Sequence, residues 1–253
     1  MNRPKLRSAG RERGAALFEF VVVIPLFGVL VFGLFEMALM YRTKATLSAA
    51  TFEAAQAGSL YNAQIDPIRK GFAQGMMPLY VKSRTPGAVA TAFAETYAKL
   101  RLGLIGSVDI VSPSRSVFNQ FKKRQPTTLG GESTERNIEV IPNDNLMWRS
   151  ADVRTVRVDN QNVQMTVQDA NVLKVKTFWC HRLLTPVLDK WLYQAITGLT
   201  AVSAVQYRRD VPEQVKCDLL PGDGLAGDAY YIALTDSAVA RMQSATVANN
   251  LPN

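Results

Sequence analysis

Between Glu19 and Glu36 the chain runs sixteen residues, FVVVIPLFGVLVFGLF, without a charge. Apart from these two carboxylates the apolar stretch extends from Ala15 to Tyr41, the length of a membrane-spanning helix. Glu19 and Glu36 stand seventeen positions apart. On an α-helix that separation is about 26 Å at 1.5 Å per residue. The hydrocarbon layer is about 30 Å thick, so both carboxylates are expected near its two interfaces. There a charge costs less than the roughly 2.5–3.5 kcal/mol assigned at mid-bilayer. Glu36 then marks the outer interface, one and two turns before Arg42 and Lys44. Pro25, Gly28 and Gly33 would weaken a soluble helix but are tolerated in a membrane, where Pro25 adds a kink or a local unwinding.

The flank before this run is basic. Residues 1–14 carry Arg3, Lys5, Arg7, Arg11 and Arg13 against Glu12, which is half of the formal charge of +8. Such a distribution describes the cytoplasmic side of a membrane segment. It does not describe a nucleic-acid face, because no compact basic and aromatic stripe follows. Positive-inside bias places residues 1–14 in the cytoplasm and exports everything after Tyr41. The competing reading is a removable secretory signal ending at Ser48-Ala49-Ala50, but signal cores run about 7–15 residues and this run is far longer. A retained anchor is the favoured reading, and 253 residues leave room for one further domain or two small ones.

Past the apolar run, YRTKATLSAATFEAAQAGS is alanine-rich and free of proline, and Gly58 is a suitable helix terminator. Its small residues offer a surface that another helix could approach closely. A continuous helix from Ala15 to Ala57 would measure on the order of 65 Å. A rod of that length is expected to pack against a membrane, a partner, or a filament of similar rods, and not inside one small domain.

Gly14 followed by AALFEF resembles the processing site of class III prepilins: a glycine, four residues, a glutamate, then an aromatic. With its continuation to Ser59, the segment resembles the TadE-like minor pilins, or pseudopilins, of the tight-adherence (Tad/Flp) pilus. The likeness covers roughly the first sixty residues; beyond them a VKVKTFW strand, an LLTPVLDKW helix and an LTAVSAVQYRR strand follow in a loosely similar order. Phe20 stands where major pilins of this system usually carry tyrosine. The resemblance implies a leader, residues 1–14, cut between Gly14 and Ala15 by a membrane-embedded prepilin peptidase. A residue without a side chain suits a cramped protease cleft. Glu19 would then present its carboxylate to the new α-amino group of a neighbouring subunit, offsetting the desolvation of both charges. Implied partners are the prepilin peptidase, the major pilin, other minor pilins and the inner-membrane assembly platform. The implied setting is the bacterial inner membrane, single-pass, with the C-terminal domain in the periplasm or carried into the extracellular pilus. The implied role is in initiating, priming or capping an adhesive pilus, with no catalysis and no cofactor. The rivals are an unprocessed membrane-anchored periplasmic protein with a structural or sensory role, and an exported ligand-binding or enzymatic domain.

Residues 61–253 read as an α+β domain, with helices packed on a mainly antiparallel sheet. Asp66-Pro67 and Thr85-Pro86 look like helix starts, a cap followed by proline at the first helical position. After the second, Val89, Phe93, Tyr97 and Leu100 fall at helical spacing as an apolar stripe. From residue 107 the segments VDIVS, NIEVIP, DVRTVRVD, NVQMTV and NVLKVKTFWC read as strands. KKRQPTTLGGESTER between the first two reads as a solvated loop, LLTPVLDKWLYQAI as an amphipathic helix, and LTAVSAVQYRR as a further strand. Cys180 and Cys217 are either a disulfide, if the domain is exported, or two unpaired core thiols. His181 adjoins Cys180, but no further Cys or His grouping completes a zinc site. GDGLAG, at 222–227, matches a dinucleotide-loop string without the required strand before it and reads as a plain loop. Asp218, Asp223 and Asp228 around it lack an EF-hand spacing.

Overall fold

The computed structural model describes residues 13–83, 85–103, 105–130, 132–158, 161–185, 188–220, 229–249 and 251–252. An apolar segment joined to an alanine-rich one has no reason to break its backbone ladder. One helix, α1 (Arg13–Leu60), runs through both, and through Pro25, without interruption. It is followed by α2 (Ile65–Met76), a short 3₁₀ turn (Met77–Leu79), α3 (Pro86–Arg101), β1 (Gly106–Ser112), α4 (Arg115–Phe121), β2 (Lys123–Thr128) and β3 (Glu135–Ile141). Then come β4 (Arg154–Val158), β5 (Gln161–Met165), α5 (Val167–Ala170), β6 (Val172–Arg182), α6 (Asp189–Thr197), α7 (Ala201–Asp210), α8 (Glu213–Asp218), β7 (Tyr231–Arg241) and β8 (Thr246–Val247). Among the described residues the strands form three antiparallel groups, β1-β6-β7, β2-β3-β8 and the hairpin β4-β5. The fold is α+β, as expected.

The central strand β6 organises the domain because both of its faces are covered. Leu173, Thr177, Trp179 and His181 point toward α1 and α2. Thr177 shares a hydroxyl contact with Thr51 at 2.6 Å, His181 meets Thr43 at 3.0 Å, and Trp179 lies 6.1 Å from the Phe72 ring. Phe178 and Cys180 point the other way, under α8, where Cys180 is bonded to Cys217 and the Lys216 ammonium sits 5.0 Å over the Phe178 ring. Thus α1 runs antiparallel along β6, with Glu36 level with Thr185 and Gly58 level with Leu173.

This arrangement divides α1 in two. In its C-terminal half a stripe of Thr43, Leu47, Ala50, Thr51, Ala54, Ala55 and Gly58 is buried by the chain's own sheet and by α2. In its N-terminal half the apolar side chains stand bare, with 6% of the most apolar window buried. From Glu19 onward, α1 is long and apolar enough to cross a membrane. The expectation that the rod could not bury itself in one small domain therefore holds for only half its length.

The helix approached closely by the alanine-rich segment is α2 of the same chain. A Cβ built on Gly75 would strike Ala50, and one on Gly71 would lie 3.0 Å from Ala57 Cβ and from the Glu53 carbonyl oxygen. Gly58 is not the terminator: α1 runs on to Leu60, and Asn62 and Ala63 make the reversal with φ of 58° and 57°. Asn62 steadies that reversal from inside, donating to the Ala245 carbonyl at 2.7 Å and accepting from Gly130 N at 2.7 Å. Gly58 is small because Ile68 and Leu173 close over it.

Other expectations need correction. LTAVSAVQYRR forms α7 and not a strand. Both edges of β6 are already taken by β1 and β7, and Thr200 caps the helix by accepting from Ser203 N, with Ser203 returning the bond. The KKRQPTTL stretch contains β2, an edge strand, where the absent N–H of Pro126 is tolerated. Asp66 does not cap α2, which starts at Ile65 after Gln64; its carboxylate accepts from the Tyr97 hydroxyl instead. Thr85 does cap α3, accepting from Ala88 N. The buried face of α3 is Ala92, Thr96 and Leu100, with Phe93 and Tyr97 stacked at its margin and Val89 exposed. The segment LLTPVLDKWLYQAI does supply a helix, beginning at Asp189.

Gly75→Ala tests the α1–α2 seam. Helix propensity alone favours alanine, but here the added methyl meets Ala50, so a net loss of about 1–3 kcal/mol is expected from overpacking. Urea unfolding in detergent measures it, with Gly87→Ala, where nothing lies within 4 Å, as the control that loses nothing.

Candidate functional site at the junction of anchor and domain

Among the described residues, the first of α1 to become buried is an acidic one. Glu36 is fully buried. An isolated carboxylate in that position would be very costly, so its surroundings must supply donors. They come from the loop after β6. Leu184 N donates to both carboxylate oxygens at 3.2 and 3.3 Å, and Thr185 N donates to Oε2 at 3.2 Å. The Thr185 hydroxyl donates to Oε2 at 3.0 Å. Two successive backbone N–H groups and a hydroxyl thus converge on one carboxyl group and satisfy it directionally.

On the last residues of β6, His181 Nε2 lies 3.6 Å from Glu36 Oε1. Its Nδ1 is 3.0 Å from the Thr43 hydroxyl, and that hydroxyl already donates to the Leu39 carbonyl at 3.0 Å. The Thr43 hydroxyl and His181 Nδ1 share a hydrogen bond, its direction set by the ring's tautomer, and the buried Nε2 faces the carboxylate beyond hydrogen-bond distance. Burial lowers the imidazole pKa; the neighbouring Glu36 charge raises it, and burial prevails. Farther along the helix, Lys44 pairs with Asp236 at 3.1 Å, Ser48 donates to the same carboxylate, and Arg42 reaches the Pro78 carbonyl at 3.4 Å. Glu36 thus does not contact Arg42 or Lys44. It is a latch to the domain and not an exposed interfacial charge, because the chain 148 residues later brings donors to it.

Beside the latch lies an open groove of about 480 Å³, lined by Arg42, Tyr80, Lys99, Trp179, His181 and Arg182. Tyr80 forms an edge contact with Trp179 and lies under the Lys99 ammonium, and burial pushes its hydroxyl up to about 12. That phenol stays protonated near neutral pH and cannot serve as a base there.

The residues singled out in the sequence are not gathered at this junction. Glu19 and Phe20 are exposed at the far end of the bare half of α1, and no polar partner of Glu19 occurs among the described residues. Gly14 and Ala15 lie within α1, but their side chains fall outside the described residues. Cys180 and Cys217 are bonded in the structure, with Cα atoms 5.5 Å apart. Residues 222–227, Asp223 and Asp228 lie outside the described residues. Asp218 is engaged by Arg208, Tyr193 and Gln214, each at 2.7 Å. Among the described residues no group of three His, Cys, Asp or Glu side chains could hold a metal.

Glu36→Ala would leave the Leu184 and Thr185 N–H groups unpaired, and a loss of about 1–3 kcal/mol is expected in urea unfolding in detergent. Glu36→Gln keeps an acceptor oxygen and should lose less. The pH dependence follows from His181. Its folded pKa lies below the ordinary value near 6.5, so the unfolded chain binds the extra proton first. Stability is therefore expected to fall as pH drops below about 6.5, and His181→Gln should flatten that part of the profile. The lowered carboxylates Asp169, Asp218 and Asp236 act only at more acid pH, so unfolding measured between the two ranges isolates the histidine.

No curated protein and no solved structure matches the chain. A family model does: the one described as TadE-like protein matches residues 14–56. That span runs from Gly14 through Glu19, the bare half of α1 and Glu36 to the alanines that receive α2, and this N-terminal part of the chain is TadE-like.

Proposed function

We propose that the chain is a minor pilin or pseudopilin of a Tad-type adhesive pilus, held in the bacterial inner membrane by α1 and used in assembling the fibre. In this reading residues 1–14 are a cytoplasmic leader removed by the prepilin peptidase between Gly14 and Ala15. Residues 61–253 form the periplasmic domain, and the partners are the major pilin, other minor pilins and the inner-membrane assembly platform. The carrying observation is the TadE-like match over 14–56, falling on a helix that is bare where it would cross a bilayer and locked to the domain beyond it. The role is structural. Because Glu36, Thr43 and Thr51 tie α1 to β6 and the loop after it, moving the anchor moves the domain with it. The exposed Glu19 carboxylate, five residues after Gly14, is free to meet the α-amino group of a neighbour's Ala15. A Cys180–Cys217 bond suits an oxidising compartment and so favours export of the domain. Cleavage before Thr51 would strip Leu47, Ala50 and the Glu36 latch from the fold, which speaks for a retained anchor.

Mass spectrometry of protein extracted from membranes of cells that contain the peptidase should find a chain beginning at Ala15. A bulky residue in place of Gly14 should leave Met1 in place. An intact Met1 terminus on the wild-type chain would instead leave an unprocessed membrane-anchored periplasmic protein as the reading. Glu19→Ala should insert in the membrane normally yet fail to enter the pilus fraction.

A further inference from the structure

A helix in a folded domain buries one face, but α7 has no fully buried residue, and only Ala204, Tyr207 and Arg208 on one side are half-buried. Its ten residues are too few to hold a helix in water unaided. Val202 and Val205 are 81% and 57% exposed. The preceding helix α6 buries only Thr197 and leaves Trp191 68% exposed, while Leu184, Leu199 and Leu219 in the same part of the chain are also bare.

Hydrogen bonds fix where this apolar surface lies. Asp189, the first residue of α6, donates its N–H to the Thr185 carbonyl at 3.0 Å, and Thr185 is itself bonded to Glu36. Farther on, the Tyr193 ring packs tilted against Tyr230 at 5.1 Å and its hydroxyl donates to Asp218, whose carboxylate also holds Arg208 of α7. Tyr230 precedes Tyr231, the partner of Arg182 at the end of the sheet nearest Glu36. Helices α6 and α7 are therefore tied to that end of the sheet, where Glu36 of α1 is also bonded, just after the exposed Phe32, Leu34 and Phe35.

We propose that α6 and α7 lie on the surface of the bilayer that α1 crosses, with Trp191, Leu199, Val202 and Val205 at the boundary of headgroups and acyl chains. The proposal rests on the reading of α1 as a membrane span. Continuity selects lipid as the occupant: the start of α6 is tied to the end of the bare part of α1 through two successive hydrogen-bonded links, Glu36 to Thr185 and Thr185 to Asp189. Tryptophan favours that boundary, and the exposed Lys190 and Arg209 suit anionic headgroups. With this second attachment the domain is held against the membrane at one tilt and does not swing on α1 alone.

Because Cys180 and Cys217 are bonded, an introduced cysteine is the only free thiol. The full chain is reconstituted in phosphatidylethanolamine–phosphatidylglycerol vesicles as Leu30→Cys, Met147→Cys, Trp191→Cys or Val202→Cys, each carrying a nitroxide. Collision with oxygen and with a water-soluble nickel chelate is then measured. Met147, on the loop bonded to Gln168 near the far end of β6, is the aqueous reference. At 191 and 202 the oxygen-to-nickel ratio should rise severalfold over that at 147, toward the value at 30. A low ratio at 191 and 202 with a high one at 30 overturns the proposal and leaves the anchor intact. A low ratio at 30 overturns the anchor reading and the proposal together. Immobilised labels at 191 and 202, broadened by neighbouring spins and shielded from both reagents, would mean a second copy covers the face and would overturn it too.

Discussion

A carboxylate buried at the edge of a membrane-length helix is stable only if the fold brings donors to it, and the bonds from Leu184 and Thr185 to Glu36 meet that condition. The rest of the architecture follows the same line. Once Glu36 is level with Thr185, α1 lies along β6 in one register, Thr43 on His181, Thr51 on Thr177 and Gly58 on Leu173. A shift of α1 by one turn would leave the carboxylate without donors, and each hydroxyl pair would part with it. The buried polar contacts in this seam therefore specify alignment, while the flanking alanines and Leu47 supply apolar burial that is less selective about register.

The same register gives α1 two solvents. Its C-terminal half is covered by β6, β7 and α2, and its N-terminal half by nothing among the described residues. The change occurs over about one turn around Glu36, so the helix leaves its apolar surroundings where the domain takes hold. The disulfide on the opposite face of β6 clamps α8 near the same end of the strand, so both of its faces are secured near the latch.

Much of the anchor is legible in the amino-acid sequence, because its physics is local. A charge-free run of sixteen residues, a basic flank and an alanine-rich continuation need no distant partner to be interpreted. The β6 segment is legible for a similar reason: Leu173, Val175, Thr177 and Trp179 alternate with residues of the other face. The strand β7 is not. Its alanines, Ser237 and Asp236 carry little strand propensity, and it exists because the edge of β6 offers eleven paired positions. Helix α7 is the converse case, since its valines look strand-like and no free edge of β6 is left to receive them.

Residue types and spacing alone thus determined a membrane-length N-terminal helix and an α+β domain behind it, and the resemblance of the first sixty residues to TadE-like proteins was visible in the sequence as well. Only the tertiary structure decided what Glu36 does. Read locally it is an interfacial charge near Arg42 and Lys44; in the fold it is a fully buried latch bonded to a loop 148 residues away. The physical reason is that burial and hydrogen-bond satisfaction depend on which distant backbone N–H groups the sheet delivers, and no local pattern around residue 36 encodes them.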